Sequence, residues 1–271
     1  MARRAAGLRS KRITVDGLTW HYLAGGKGPV LLALHGFGGD ADNWLKAAPA
    51  LCRHFRLVVP DLIGFGGSDI GDGLSYDVRD QAARLFAFTQ ALGIQRCLIA
   101  GNSMGGWIAT SLANRRPEMV KTLWLLAPLG VQSACQSELL AAIESGIESP
   151  FDVRTAGELN KRVVDRMFAT RPCIPGPLLA YYTGLAAANA EHFRHIFAGI
   201  ISESPSMEQL LPGVSAAVLL QWGGADRVVD ASGAAILQSI HPALSVRILD
   251  DVGHLEDRVD VDAGRPGRGH P

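Results

Sequence analysis

The stretch Arg96 to Pro117, RCLIAGNSMGGWIATSLANRRP, constrains the fold of this chain more than any other. Cys97 to Ala100 is a short apolar run of the length of one buried strand. GNSMGG follows, from Gly101 to Gly106. Met104, Trp107, Ile108, Ser111 and Leu112 then recur at helical spacing. Arg115 and Arg116 stand where cations suit a helix C-terminus, and Pro117 stops the helix. The order is strand, tight turn, helix, with Ser103 on the turn. Gly101 and Gly105 bracket that serine two residues either side. A strained strand-to-helix turn requires them, because a Cβ at either flank would collide with neighbouring backbone. Such a turn lifts the hydroxyl out of the sheet and points helix N-terminal N–H groups at any anion formed there. The competing reading is a Gly-rich turn with a capping serine, and the rest of the chain must decide between them.

On both sides of this unit, strand and helix patterns alternate. Asp16-Gly17 between Ile13–Val15 and Leu18–Leu23 predicts an antiparallel hairpin at a sheet edge. Val30–Leu34 is a continuous apolar run, as expected of a parallel strand covered on both faces. HGFGGD, His35 to Asp40, follows it, and Asn43–Leu51 is helical. Phe55–Val59 is the next strand and runs into DLIGFGGSD, Asp61 to Asp69. Tyr76–Leu92 is a helix with Val78, Ala82, Leu85, Thr89 and Leu92 on one face, ended by Gly93. Thr122–Ala127 is a further buried strand, halted by Pro128.

The alternation then stops. Residues 131–212 carry helical pattern broken by Pro and Gly clusters, with no buried strand, and are too long for a bare loop. Ala216–Gln221 resumes the sheet, followed by WGGADRVVD, a helix over Ala231–Ile240, the strand Ser245–Leu249 and DDVGH. The expected fold is α/β: a mostly parallel eight-stranded sheet with helices on both faces. Residues 1–130 form the first part of the core, 131–212 a helical cap or lid inserted after the sixth strand, and 213–271 the second part of the core.

In an open parallel sheet, ligands bind outside the carboxyl ends of the strands. The informative residues are therefore His35-Gly36-Phe37 after the third strand, Ser103 after the fifth, Asp226 after the seventh and His254 after the eighth. Ser103 alone is a poor nucleophile and needs a base within hydrogen-bond reach. His254 supplies an imidazole, the side-chain type suited to take up and return a proton. An acid must then hold the second ring nitrogen and stabilise the imidazolium. Asp226, in the loop leaving a buried strand, is the best candidate. Asp230 reads as a cap for the following helix, and Asp250 and Asp251 as solvent-facing.

The motifs HGFGG, DLIGFGGSD, GNSMGG, WGGADRVVD and VGH, in that order and spacing from about Leu18 to His254, resemble the α/β-hydrolase superfamily. LWLLAPLGV and DRVVDASGA are most similar to bacterial lipases and esterases and to monoacylglycerol lipases of the α/β-hydrolase-domain type. The resemblance implies that the backbone N–H groups of Phe37 and Met104 form an oxyanion hole. It also offers a second place for the acid, after the sixth strand, but Pro128 and Leu129 occupy it. Family members continue past the histidine into a C-terminal helix. Here LEDRVDVDAGRPGRGHP follows, polar and rich in Gly and Pro, so that final helix is expected to be missing. Its loss would bare apolar sheet surface and invite a partner, a second copy included.

Other residues have plainer readings. His35 reads as a structural histidine tying the loop after the third strand, and Asp61 and Ser68 as turn holders. His192 and His195, one helical turn apart, read as packing rather than metal ligands, since no third ligand is evident. Trp44, Trp107, Trp124 and Trp222 read as core. Tyr181, Tyr182, Phe193 and Phe197 read equally as walls of a substrate channel or as packing of the insertion; the first three are taken as candidate substrate contacts.

Lys+Arg and Asp+Glu are both 26, which gives no reason to expect a nucleic-acid partner. Cys52, Cys97, Cys135 and Cys173 have no metal or C-x-x-C spacing, so reduced thiols in a cytoplasmic protein are expected. No apolar run reaches the ~18 residues that cross a membrane, so no stable membrane insertion is expected. MARRAAGLRSKR lacks a hydrophobic centre and reads as a disordered basic tail rather than a secretory signal. Together these features predict a serine hydrolase of carboxylic esters that uses no metal or organic cofactor. The runner-up is a carbon–carbon bond hydrolase of dienoic meta-cleavage products, although Leu255 stands where such enzymes carry tryptophan. A non-catalytic binding protein on the same fold would show a lost triad member, and none is lost.

Overall fold

The computed structural model describes residues 2–71, 73–146 and 150–254. Eight strands form one sheet: β1 Leu8–Val15, β2 Leu18–Gly25, β3 Val30–Leu34, β4 Arg56–Pro60, β5 Cys97–Asn102, β6 Val120–Leu126, β7 Ala217–Gly223 and β8 Ser245–Leu249. Their spatial order is β1-β2-β4-β3-β5-β6-β7-β8. The hairpin β1–β2 pairs antiparallel through Asp16-Gly17, and β2 pairs antiparallel with β4. All remaining pairs are parallel. Asp16 and Gly17 both take positive φ, the turn geometry that suits the right-handed twist of a hairpin.

Apolar packing covers both faces. On one, the helices Val78–Ala91, Met104–Arg115 and Ser232–Ile240 bury Leu85, Phe88, Trp107, Ile108 and Leu237 against Leu32, Ile99, Leu123 and Leu220. On the other, Trp44, Ala48 and Leu51 pack on Leu31, Ala33, Leu57 and Val59. Full burial of each large side chain contributes ~1.5–3 kcal/mol relative to exposure. Trp44, Trp107 and Trp222 are buried as expected, whereas Trp124 is half-buried. Asp77 starts the Val78–Ala91 helix by accepting from the N–H groups of Arg79 and Asp80, and Gly93 follows its end at φ 68°.

The N-terminus differs from its sequence reading. Residues 8–15 are strand, not basic tail, and Ala2–Ala5 is a short helix. Leu8 is the reason: it is buried among Trp44, Leu51 and Leu57 and pairs with Gly25. Arg3 holds the preceding turn by a two-nitrogen contact to Asp42 at 2.7 and 3.0 Å. The hairpin is also fastened across the sheet edge. Ser10 Oγ lies 2.6 Å from His21 Nε2, and His21 Nδ1 lies 2.7 Å from Asp61 Oδ2.

Between β6 and β7 the described residues hold helices only, chiefly Glu138–Ser145, Gly176–Ala188 and Ala190–Glu203, with a π turn over Asn160–Val164. They rest on the carboxyl end of the sheet through several contacts. His192 Nε2 is 2.9 Å from the Gly64 carbonyl, Trp107 Nε1 donates to Pro205 O at 2.9 Å, and Val78 N donates to Ser204 Oγ at 3.0 Å. The polar tail after His254, and with it the expected loss of a final helix, lies outside the described residues.

Candidate active site

Ser103 sits between β5 and the Met104–Arg115 helix at φ 52°, ψ −119°, a conformation that L-residues avoid. The two glycines that bracket it have no room for a side chain. A Cβ on Gly101 would stand 2.5 Å from Gly105 O, and one on Gly105 2.5 Å from His35 O. The strained turn is locked by backbone bonds: Ser103 N donates to Leu126 O, and Ser103 O accepts from Gly106 and Leu129. Ser103 is 6% exposed, at the carboxyl end of the sheet's centre.

Asp226 and His254 come together two strands away. Gly223, at the end of β7, approaches the loop after β8 so closely that a Cβ would lie 2.3 Å from Gly253 O. Gly224 N donates to Leu249 O and Ala225 N to Val252 O, which clamps the two loops side by side. Asp226 Oδ2 then meets His254 Nδ1 at 2.8 Å, while Oδ1 accepts from the N–H groups of Val228 and Val229 at 2.8 and 2.9 Å. Both residues are buried, at 8% and 3% exposure. The carboxylate is thus held from one side and presents a single oxygen to the imidazole. No hydrogen bond joins His254 Nε2 to Ser103 Oγ among the described residues. Such bonds are often long without a substrate and tighten in its complex.

The other acids fall where the sequence placed them. Asp230 Oδ1 accepts from Ser232 N at 2.9 Å, at the start of the Ser232–Ile240 helix, and Asp250 and Asp251 are exposed.

The loop after β3 closes the other side. Gly36 lies against Ser103, since a Cβ on it would be 3.2 Å from the serine Cβ. His35, fully buried, fixes that loop. Its Nδ1 donates to Gly36 O at 2.7 Å, and its Nε2 accepts from Leu62 N at 3.0 Å. Burial pushes its pKa below the usual histidine value and keeps the ring neutral. The backbone N–H groups of Phe37 and Met104 have no acceptor among the described residues. Met104 N also begins a twelve-residue helix, whose dipole favours an anion there. Asp61 and Ser68 hold turns, as expected. Asp61 accepts from Ala41 N and Gly67 N, and Ser68 Oγ donates to Asp61 O.

Phe37 is the hub of an aromatic cluster. Phe65, Phe151, Phe193 and Phe197 each pack on it with ring centroids 5.4 to 5.9 Å apart. Phe193 therefore does reach the loop beside Ser103. Tyr181 and Tyr182 differ: they stand on the outer surface of the Gly176–Ala188 helix, in edge contact with each other. Phe65 and Phe151 escaped the sequence reading. The GFGG run in DLIGFGGSD was the available signal for Phe65. Phe151 follows the Ser149-Pro150 break, where no periodicity marks it. His192 and His195 both pack edge-on against Tyr76. Among the described residues no group of three or more His, Cys, Asp or Glu is placed to hold a metal ion.

Comparison with known proteins bears on the fold and the family. The sequence profile of the α/β-hydrolase fold matches residues 29–171. The chain is 30% identical to Lipase 3 of Moraxella sp. (strain TA144) over 84% of its own length and 72% of the lipase. It is 28% identical to monoacylglycerol lipase abhd6-A of Xenopus laevis over 93% of its length and 78% of that protein. Among solved structures it is similar to a membrane phospholipase A described as a bacterial virulence factor. The TM-score is 0.89 at 39% identity, covering 94% of this chain and 82% of the other.

Proposed function

The chain belongs to the α/β-hydrolase family, and on that premise we propose that it hydrolyses carboxylic esters, short- to medium-chain acyl esters or monoacylglycerols, through an acyl-Ser103 intermediate. The observation that carries this reading is the buried Asp226–His254 contact at 2.8 Å, on the same end of the sheet as a serine held at φ 52°. Lipase-named relatives support it.

Ser103 Oγ attacks the ester carbonyl carbon and passes its proton to His254 Nε2. Asp226 stays ionised, holds Nδ1–H and stabilises the imidazolium. The carbonyl oxygen becomes an oxyanion and takes hydrogen bonds from Phe37 N and Met104 N. The tetrahedral adduct collapses, the alcohol leaves with the proton from His254, and Ser103 keeps the acyl group. Water, deprotonated by His254, repeats the sequence and releases the acid. Each step is carried by groups of the chain itself.

The helices of residues 131–212 act as a cap in this reading. A Cβ on Gly253 would lie 2.7 Å from Met167 O, so the insertion presses directly on the histidine loop. It sets Phe193, Phe197 and Phe151 around Phe37, an apolar cage suited to an acyl chain. Excluding water there strengthens every charge interaction of the site.

The test combines a fluorophosphonate probe with a hydrolysis screen over acyl length that includes a dienoic ketone. Labelling at Ser103, with ester turnover lost in Ser103→Ala, is the expected result. Labelling at another residue, or an active alanine variant, overturns the assignment. Turnover of the dienoic ketone in preference to every ester would give the site to carbon–carbon bond hydrolysis instead.

A further inference from the structure

We propose that Arg227 is a positioning residue for the Asp226–His254 pair, tying the loop that carries the acid to the insertion between β6 and β7. The inference rests on the assignment of Asp226 and His254 as acid and base. Arg227 follows Asp226 directly, and its guanidinium reaches across to the insertion. Nη2 donates to Asp165 O and reaches Phe168 O at 3.5 Å. Those carbonyls stand at the C-terminal end of the helical run 156–167, which passes through the π turn Asn160–Val164. A helix end leaves its last carbonyls without intrahelical donors and carries partial negative charge, so a cation there satisfies both needs. The guanidinium also lies 4.0 Å from Glu138, but that pair is exposed and contributes little. Among the described residues, every side-chain partner of Arg227 belongs to the insertion.

The segment at residues 165–169 touches the base as well as the acid. A Cβ on Gly253, the residue before His254, would lie 2.6 Å from Ala169 N and 2.7 Å from Met167 O. One stretch of the insertion thus bears on the histidine loop through Gly253 and on the acid loop through Arg227. That stretch is closed on itself, because both oxygens of the Asp165 carboxylate hold Arg171. The acid loop takes two more bonds from the root of the insertion. Leu139 N donates to Arg227 O at 3.2 Å, and Ser137 Oγ donates to Val228 O at 2.6 Å. Val228 N in turn donates to Asp226 Oδ1, so a shift of this loop turns the carboxylate relative to His254. The wall of the phenylalanine cage has a separate tie. Phe193 and Phe197 lie on the Ala190–Glu203 helix, which His192 fastens to Gly64 O at 2.9 Å. Loss of the Arg227 donors therefore disturbs the acid–base pair and leaves the cage in place. A misplacement of about 1 Å at such a pair costs up to ~100-fold in rate.

The experiment compares Arg227→Met and Arg227→Lys with the parent, as full chains and well below the unfolding temperature of each. Methionine keeps much of the stem and removes every donor. The Arg227 side chain is 41% exposed, so its loss leaves no buried charge unpaired. Lysine keeps the cation and one nitrogen, and one nitrogen makes both carbonyl contacts here. Two rates are read: kcat on p-nitrophenyl butyrate, and the second-order rate at which a fluorophosphonate labels Ser103, a step that also needs the base. Arg227→Met is expected to lower both about 10- to 100-fold with KM changed less than about twofold, and Arg227→Lys to stay within ~3-fold of the parent. A methionine variant that keeps both parental rates, or loses only thermal stability, overturns the proposal. A raised KM with kcat unchanged also overturns it and makes Arg227 a support of the substrate wall. A lysine variant no faster than the methionine one overturns it too, since the carbonyl contacts would then have no role. A parent that labels at Ser103 but hydrolyses no ester removes only the ester reading, and the labelling rates still decide. A parent that does not label at Ser103 overturns both.

Discussion

The carboxylate of Asp226 meets the imidazole of His254 with side-chain exposures of 0% and 2%. Its other oxygen is committed to two backbone N–H groups, of Val228 and Val229. This commitment decides what an isosteric change would do. In Asp226→Asn the amide oxygen must stay on those N–H donors, so the NH₂ group turns to His254 Nδ1. The ring must then accept at Nδ1 and carry its proton on Nε2, the wrong tautomer for a base. The expected loss in kcat is ~10⁴-fold with the fold intact. Asp230→Asn, which affects only the start of a helix, should change kcat by less than about twofold. Steady-state kinetics on both variants checks the assignment, and a reversed pattern would transfer the role to Asp230.

Much of this site was legible because glycine leaves a sharp mark. Gly101 and Gly105 were required by the turn, and each Cβ would indeed stand 2.5 Å from backbone oxygen. The strand ends that deliver Asp226 and His254 were legible from continuous apolar runs. Other parts were not. β1 begins at Leu8, but its first half alternates with basic residues that look like a tail; only its pairing with Gly25 and its burial beside Trp44 reveal a strand. The Gly176–Ala188 helix is apolar on every side, so periodicity could not say which side faced in, and the sequence left Tyr181 and Tyr182 open between a channel wall and packing; both are exposed. The phenylalanine cage draws on residues from 37 to 197, a contact between distant segments that local pattern does not encode.

The strain at Ser103 predicts a trade between stability and activity. Its φ of 52° with ψ of −119° costs of order 1–3 kcal/mol for a residue with a Cβ. Ser103→Gly relieves that strain but adds ~0.4–1 kcal/mol of unfolded-state entropy. Ser103→Ala keeps the strain. Both variants should lose ester turnover, and the glycine variant should be the more stable by about 1 kcal/mol. Urea unfolding measures the difference. An alanine variant at least as stable as the glycine one would mean that the backbone here is not strained.

His35 predicts a pH dependence of stability. Burial lowers its pKa in the folded state, so the unfolded chain takes up the proton first as pH falls. The stability contributed by neutral His35 is fully present above about pH 6.5 and is lost as pH drops below that value toward the lowered folded pKa. His35→Asn removes this titration while keeping a donor near Gly36 O, at a cost of about 1–3 kcal/mol from the unsatisfied Leu62 N–H. Denaturant unfolding from pH 7.5 to 5 should show a steeper decline for the wild type than for the variant. Parallel declines would place the titration in other groups.

The aromatic cage predicts which esters turn over fastest. Four rings surround Phe37, and two of them, Phe193 and Phe197, come from one helix of the insertion. An acyl chain bound beside Ser103 would bury its methylenes against these rings. Each buried CH₂ contributes ~0.8 kcal/mol, so kcat/KM should rise about fourfold per methylene from acetyl upward until the cage is full, then level or fall. Removing a wall enlarges the cage. Phe193→Ala and Phe197→Ala should each move the optimum to longer chains by about two methylenes and retain acetyl ester turnover within ~10-fold. Tyr181→Ala should leave the optimum for soluble esters where it is, because that ring faces water. The measurement is kcat/KM over a series of p-nitrophenyl esters kept below their micellar concentrations. A flat profile in the wild type, with phenylalanine variants that lower only the melting temperature, would make the cage packing. Chain-length selection would then have to come from the core loops that carry Phe37 and Ile63.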